Sequence, residues 1–195
     1  MNHLKHWKTL NSSYLYQTPF GNLRKDTCEL PSGQIIQDYY VTEYSDWVNA
    51  VVITKNQLLV LVKQYRHGAN SSFLEIPAGK PEGNETFEEA VLREVKEETG
   101  FTSTSPPILL GEFFVNPATQ TNKVISYLIT NAELVTKQDL DDTEMIDVHL
   151  VDLKRMNHMI KSGEINQLFT VSAYYLSIAK LASLYGFDEA ALNQY

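Results

Sequence analysis

The sequence predicts an α/β fold in which a mixed sheet is flanked by helices and preceded by a small antiparallel sheet. Three observations carry this prediction. Residues 47–54 and 57–62 are nearly unbroken apolar runs, the pattern of strands covered on both faces. Residues 86–100 have a helical apolar period with a cap signal at each end. The elements run strands, one helix, strands again and then two helices, which is the order of a mixed sheet rather than a regular β-α-β alternation.

Composition bounds what such a fold can do. At 195 residues the chain is long enough for one full domain, or for a domain with an arm. A formal charge of −8 argues against a broad nucleic-acid surface, which needs a basic patch. It leaves room for a nucleotide ligand whose phosphates a metal ion neutralises. Cys28 is the single cysteine, so an internal disulfide is ruled out and a reducing, cytoplasmic setting is expected. The first sixteen residues lack the apolar core of a signal peptide, and no stretch of eighteen apolar residues suggests a membrane span.

Taken in order, residues 1–45 read as short strands divided by turns. Asn11-Ser12-Ser13, Pro19-Phe20-Gly21-Asn22 and Pro31-Ser32-Gly33 have turn chemistry, and residues 14–16 and 34–41 are β-rich. This arm is too poor in aliphatics for its own core, so it is expected to pack on the main domain, residues 46–195, or on another subunit. Lys55-Asn56 suits a tight hairpin between the two apolar strands. Residues 73–79 predict a short strand that Pro77 ends or confines to an edge. Strands are expected over 108–115, 123–130 and 146–151, and helices over 153–160 and 171–185.

The chemistry concentrates in residues 79–101, GKPEGNETFEEAVLREVKEETGF. Thr86-Phe87-Glu88-Glu89 fits a capping box, and Gly100 fits the position just past a helix C-terminus. Phe87, Val91 and Val95 form a core stripe with Leu92 beside it, while Glu89 and Lys96 point outward. Glu94, Glu97 and Glu98 stand at i, i+3 and i+4 and share a face. Glu94 and Glu98 border the apolar stripe, a costly place for idle charges and a sensible one for ligands. Hard divalent cations prefer oxygen ligands of this kind. Read without further pattern, the carboxylates are a solvated acidic face and Asp141, Asp142 and Glu144 an ordinary polar loop.

The pattern goes further. Gly79, five residues, Glu85, seven residues, Arg93-Glu94, apolar Val95, one residue, Glu97-Glu98, one residue, Gly100 and apolar Phe101 match the Nudix box at every constrained position. Gln64-Tyr65-Arg66, Glu75-Ile76-Pro77-Ala78-Gly79, the N-terminal strands and Pro117, sixteen residues past the box, resemble the ADP-ribose pyrophosphatase branch of that family. The resemblance implies a Nudix α/β/α sandwich. It also implies Mg²⁺-dependent hydrolysis of the diphosphate of ADP-ribose or a related nucleoside diphosphate sugar to AMP and a sugar phosphate, with Mn²⁺ as a substitute metal. Glu94, Glu98, Glu144 and the Ala78 carbonyl would hold metal; Arg66, Glu75, Gly79 and Pro117 would bind substrate; Glu97, Asp142 and Arg93 would serve catalysis. A homodimer through the N-terminal arm follows from the same resemblance.

Two departures from the family pattern stand out. Asn84 precedes the first box glutamate where many relatives have Gly, and Asn tolerates a left-handed backbone there. Asp142 occupies a position where some relatives place a catalytic Glu, so Asp142, Glu97 and Glu144 all remain candidates for the general base. Other diphosphates such as GDP-mannose or FAD, and a nucleotide sensor without turnover, are the alternatives. Arg66 pairing only with a structural carboxylate, and Pro117 only shaping a turn, are the plainer readings of those residues.

Overall fold

The computed structural model describes residues 6–185. They form two compact units, one made of the chain up to Asp46 together with Phe113–Val124, the other of Trp47–Glu112 and the chain from Ile125 onward.

The first unit is a three-stranded antiparallel sheet in the order β1 (Lys8–Thr18), β2 (Gly21–Glu29), β3 (Ile35–Glu43). Its strands are longer than the sequence predicts. Asn11-Ser12-Ser13, expected as a turn, lies inside β1, paired with Thr27, Asp26 and Lys25. The polar run tolerates the ladder because Ser12 Oγ donates to Asp26 Oδ1 at 2.7 Å, and a register shift between Thr9 and Asn11 absorbs the irregularity. β2 fills the stretch between the expected turns at 19–22 and 31–33, although Arg24-Lys25-Asp26 disguises its alternation. Arg24 lies between buried Asp26 and Glu43, which pairs the charges across the sheet. Phe113–Val124 joins this unit through Thr42, whose N–H donates to Thr119 C=O at 2.8 Å and whose C=O accepts from Thr121 N–H at 3.2 Å.

The second unit contains the strands β4 (Trp47–Thr54), β5 (Leu58–Arg66), β6 (Ser71–Glu75), β7 (Ala78–Gly79), β8 (Phe101–Thr102) and β11 (Ile146–Asp152). β9 (Ile108–Phe114) and β10 (Lys123–Leu134) run into it from the segment above. The sheet order is β11-β5-β4-β10-β8, with β6 on β5, β7 on β4 and β9 on β10. The expected strand over 73–79 is two pieces, because Pro77 cannot donate to a ladder; its C=O instead accepts from Ala50 N–H at 3.1 Å. The β4–β5 hairpin closes with Gln57 N–H on Thr54 C=O at 3.1 Å, and Gln57 takes the left-handed position at φ 63°.

Period-2 alternation explains the continuous apolar run of β4. Val51 and Ile53 enter a core with Leu59, Leu61, Met156, Ala173 and Tyr174, while Val48, Ala50 and Val52 enter a second core with Val60, Ala90, Val91 and Val95. One face therefore carries α2 (Met156–Lys161) and α3 (Leu168–Tyr185), and the other carries α1 (Phe87–Thr99). This is the α/β/α sandwich the sequence predicts. α3 starts three residues before the expected 171 because the Gln167 side chain caps Thr170 N–H at 2.7 Å. Among the described residues, no helix is long and apolar enough to cross a membrane.

Candidate active site

The site is built on α1. Thr86 Oγ1 accepts from Glu89 N–H at 3.2 Å, and Thr86 N–H donates to Glu89 Oε2 at 2.8 Å, so both halves of the capping box form. Such a cap stabilises a helix by about 1 kcal/mol. At the other end Gly100, φ 75°, donates to Lys96 C=O at 2.8 Å, and any Cβ there would strike the backbone of Thr136. The loop before the helix also turns left-handed, at Gly83 (φ 53°), where glycine supplies the conformation at no steric cost, so the turn survives with Asn84 before Glu85.

With Val91 and Val95 buried, Glu94 and Glu98 fall at the seam between helix and sheet, and Glu98 is 3% exposed. Both carboxylates meet the β7 turn. Ala78 N–H donates to Glu98 Oε2 at 3.0 Å, and Lys80 N–H donates to Glu94 Oε1 at 3.1 Å. The contact Ala78 makes with the box is thus through its amide. Between these two amides lies Gly79, where a Cβ would overlap the Glu94 carboxylate. Burial raises the pKa of Glu94 despite Arg93 and the Lys80 amide. Burial likewise pushes Glu98 up to about 8, assisted by Glu94 and Glu144 and opposed by the Ala78 amide and Arg66.

Those influences locate the outlying residues. Arg66, at the end of β5, grips Glu75 of β6 through Nη2 at 2.6 Å and Nε at 3.1 Å, and Glu75 is 4% exposed. Arg66 therefore has a structural carboxylate partner and also lies within electrostatic reach of Glu98. Arg93 crosses the box: Nε and Nη2 hold Glu85 at 2.8 and 3.0 Å, Nη1 holds Glu97 at 2.8 Å and Glu94 at 3.1 Å, and Nη2 holds Lys80 C=O at 2.9 Å. This network raises the Arg93 pKa, Glu85 contributing most, and lowers that of Glu85. Glu97 points to the Arg93 side of α1, where a cleft of about 450 Å³ runs between the helix and Lys137 and Asp139.

Asp141, Asp142 and Glu144 occupy an exposed loop before β11. Glu144 N–H donates to Asp141 C=O at 2.9 Å, and its side chain accepts from Asp141 N–H at 3.2 Å. Pro117 lies in the first unit, in a turn closed by Thr119 and Gln120 N–H groups on Asn116 C=O. Three residues escaped the sequence reading. Thr170 Oγ1 accepts from Ile76 N–H at 3.1 Å, the Lys80 ammonium lies 4.9 Å from the Trp47 ring centre, and Gln138 bridges two carbonyls beside the box. Lys80 sits at a variable position of the motif; Thr170 and Gln138 carry no local signal.

The donor set fits a divalent cation. Glu94 and Glu98 are oxygen ligands one helical turn apart, both disfavoured as bare charges by burial, and a cation would relieve that cost. Among the described residues, however, no three His, Cys, Asp or Glu groups are drawn together as a ready cage. The reason is visible in the hydrogen bonds: Glu94 and Glu98 are turned to backbone amides, and Glu97 to Arg93.

Two family models match the chain. Residues 45–169 match the NUDIX domain model, and residues 7–42 match the nucleoside diphosphate sugar hydrolase N-terminal domain. The chain is 28% identical over 167 residues to an ADP-ribose pyrophosphatase of Bacillus subtilis (strain 168), covering 85% of this chain and 89% of that protein. It is 30% identical over 170 residues to a methanol dehydrogenase activator of Bacillus methanolicus, with the same 85% and 89% coverage. A crystal structure of an ADP compounds hydrolase superposes with a TM-score of 0.83 over 96% of this chain and 100% of that one; at 20% identity this likeness is one of fold.

Proposed function

The chain belongs to the Nudix family of hydrolases, and from that premise we propose that it cleaves the diphosphate of ADP-ribose, or of a related nucleoside diphosphate sugar, with Mg²⁺ as its metal. The observation that carries the reading is the pair Glu94 and Glu98, half-buried and buried at one seam and held by the amides of Lys80 and Ala78. Identity to an ADP-ribose pyrophosphatase supports the substrate class.

In this reading Glu94, Glu98 and Glu144 hold the metal, with the Ala78–Gly79 turn beside them. Bound there, the ion supplies charge neutralisation on the diphosphate and acidifies water. Arg66, held by Glu75 through Nε and Nη2, contacts the phosphates. Arg93 holds Glu85, Glu94 and Glu97 in register and so acts by positioning. Asp142, Glu97 or Glu144 accepts the proton as water adds to one phosphorus. The bridging oxygen leaves with the other phosphorus, giving AMP and ribose 5-phosphate from ADP-ribose. Pro117 acts by shaping its own turn, which the Thr119 and Gln120 N–H groups close on Asn116 C=O.

Residues 46–195 form the catalytic domain, and residues 1–45 form an arm at a homodimer interface. Supporting the dimer, β1 exposes Leu10, Tyr14, Leu15 and Tyr16, each 45–53% accessible, and the following turn exposes Phe20 at 81%. Sedimentation at micromolar concentration is expected to give a dimer; a monomer there overturns this part. The lone buried Cys28 suits a cytoplasmic setting.

Offering the purified protein ADP-ribose, GDP-mannose and FAD with Mg²⁺ tests the assignment. The expected result is fastest release of AMP from ADP-ribose. Faster cleavage of another diphosphate replaces the substrate, and tight binding with no product replaces the enzyme with a nucleotide sensor.

A further inference from the structure

Gln138 stands at the root of the acidic loop that joins β10 to β11. Its Nε2 donates to Glu98 C=O at 2.6 Å and to Ile146 C=O at 3.0 Å. The first carbonyl belongs to the last turn of α1, on the residue whose carboxylate meets Ala78. The second belongs to the first residue of β11. One primary amide, with its two donors, therefore ties together the box helix and the far end of the loop. Its neighbours complete the seam: Asp139 N–H donates to Glu97 C=O at 2.9 Å, and Val135 N–H donates to Gly100 C=O at 3.0 Å. The carbonyls left over at a helix C-terminus are ordinarily met by water or by the helix's own cap. Here residues 135–139 take that role, and the same stretch launches Asp142 and Glu144.

We propose that Gln138 is a positioning residue for hydrolysis, setting where Asp142 and Glu144 stand relative to Glu98. The proposal rests on the reading of those loop carboxylates as participants in the reaction. Side-chain chemistry at 138 is restrictive. A carboxylate of the same length would bring oxygen against two carbonyl oxygens and add a charge beside an already crowded acidic group. An apolar side chain of the same length would leave both carbonyls without this donor and free the loop at both ends. A helix cap with no part in the reaction would also form these bonds, and it makes a different prediction: loss of stability with no link to the loop carboxylates.

The test uses the full chain with Gln138→Met, which keeps length and removes the donors. Without substrate, hydrogen exchange at the Asp139 and Glu144 amides is expected to accelerate, while amides in the middle of α1 keep their protection. With ADP-ribose and Mg²⁺, kcat is expected to fall about 10-fold with KM changed less than about two-fold. Combined with Asp142→Asn or Glu144→Gln, whichever single change is the more damaging, the loss is expected to be well below the product of the separate losses. Independent, multiplicative losses overturn the proposal, as does unchanged exchange in the loop. If Gln138→Met does not fold, Gln138→Asn, which can reach one carbonyl but not both, is expected to show a smaller loss with the same coupling; no coupling overturns the proposal. Wild-type turnover in both single loop variants marks a different failure, that of the loop's role itself, and removes the proposal with it.

Discussion

Gly79→Ala is expected to give a folded protein that has lost at least about 100-fold in hydrolysis. Gly79 is buried and is not in a left-handed conformation, so its backbone accepts alanine. The obstacle is that the new Cβ would overlap Cδ, Oε1 and Oε2 of Glu94. Two relaxations are open: the Glu94 side chain swings away, or β7 backs off and Lys80 N–H loses its acceptor. The first is cheap because only the end of a flexible side chain moves, so stability should fall by no more than about 1–3 kcal/mol. Either way the contact between the Glu94 carboxylate and the Lys80 amide is lost, and the carboxylate assigned to the metal no longer sits as it does against β7. Urea unfolding and turnover of ADP-ribose with Mg²⁺, measured together, check this. Near-normal turnover would show that the position of Glu94 is immaterial.

Glu98→Gln separates charge from shape at the most buried carboxylate of the site. The Gln oxygen can still accept from Ala78 N–H, so the fold is expected to persist. Hydrolysis is expected to drop roughly 100- to 1,000-fold, as when a group that organises transition-state charge is removed. The pH dependence of stability provides a second readout. Burial holds folded Glu98 at about 8, against an ordinary 4.5. Between these values the metal-free folded protein keeps a proton that the unfolded chain has released. The stability owed to Glu98 is therefore complete below pH 4.5 and is lost as the pH rises through 8. Glu98→Gln should remove that decline, and Mg²⁺ at pH 8 should stabilise the parent protein and not the variant. Parallel pH–stability curves for the two proteins would mean that Glu98 does not carry this proton.

The box, the helix and its caps were legible in the residues because each depends on neighbours in the chain. Thr86 and Glu89 are three apart, Gly100 follows the last turn, and Val91 and Val95 repeat at helical spacing. The two-faced core was legible for the same reason, since nearly unbroken apolar runs at 47–54 and 57–62 require cover on both sides. Local patterns failed where partners came from across the sheet. Asn11-Ser12-Ser13 looked like a turn because Asp26, which takes the Ser12 hydroxyl, lies fourteen residues on. Before Glu85, Gly83 and Asn84 both tolerate a left-handed backbone, and composition does not say which of the two bends; in the fold it is Gly83.

By itself the sequence determined the family, the α/β/α architecture and the helix that carries Glu94, Glu97 and Glu98, because local spacing specifies which side chains share a helix face. Only the tertiary structure decided what those side chains touch. It set Glu94 and Glu98 on the amides of Lys80 and Ala78, locked Arg66 to Glu75, and tied the acidic loop to α1 through Gln138. These contacts join residues 9 to 40 positions apart in the chain, and their geometry depends on how the strands and loops pack against one helix.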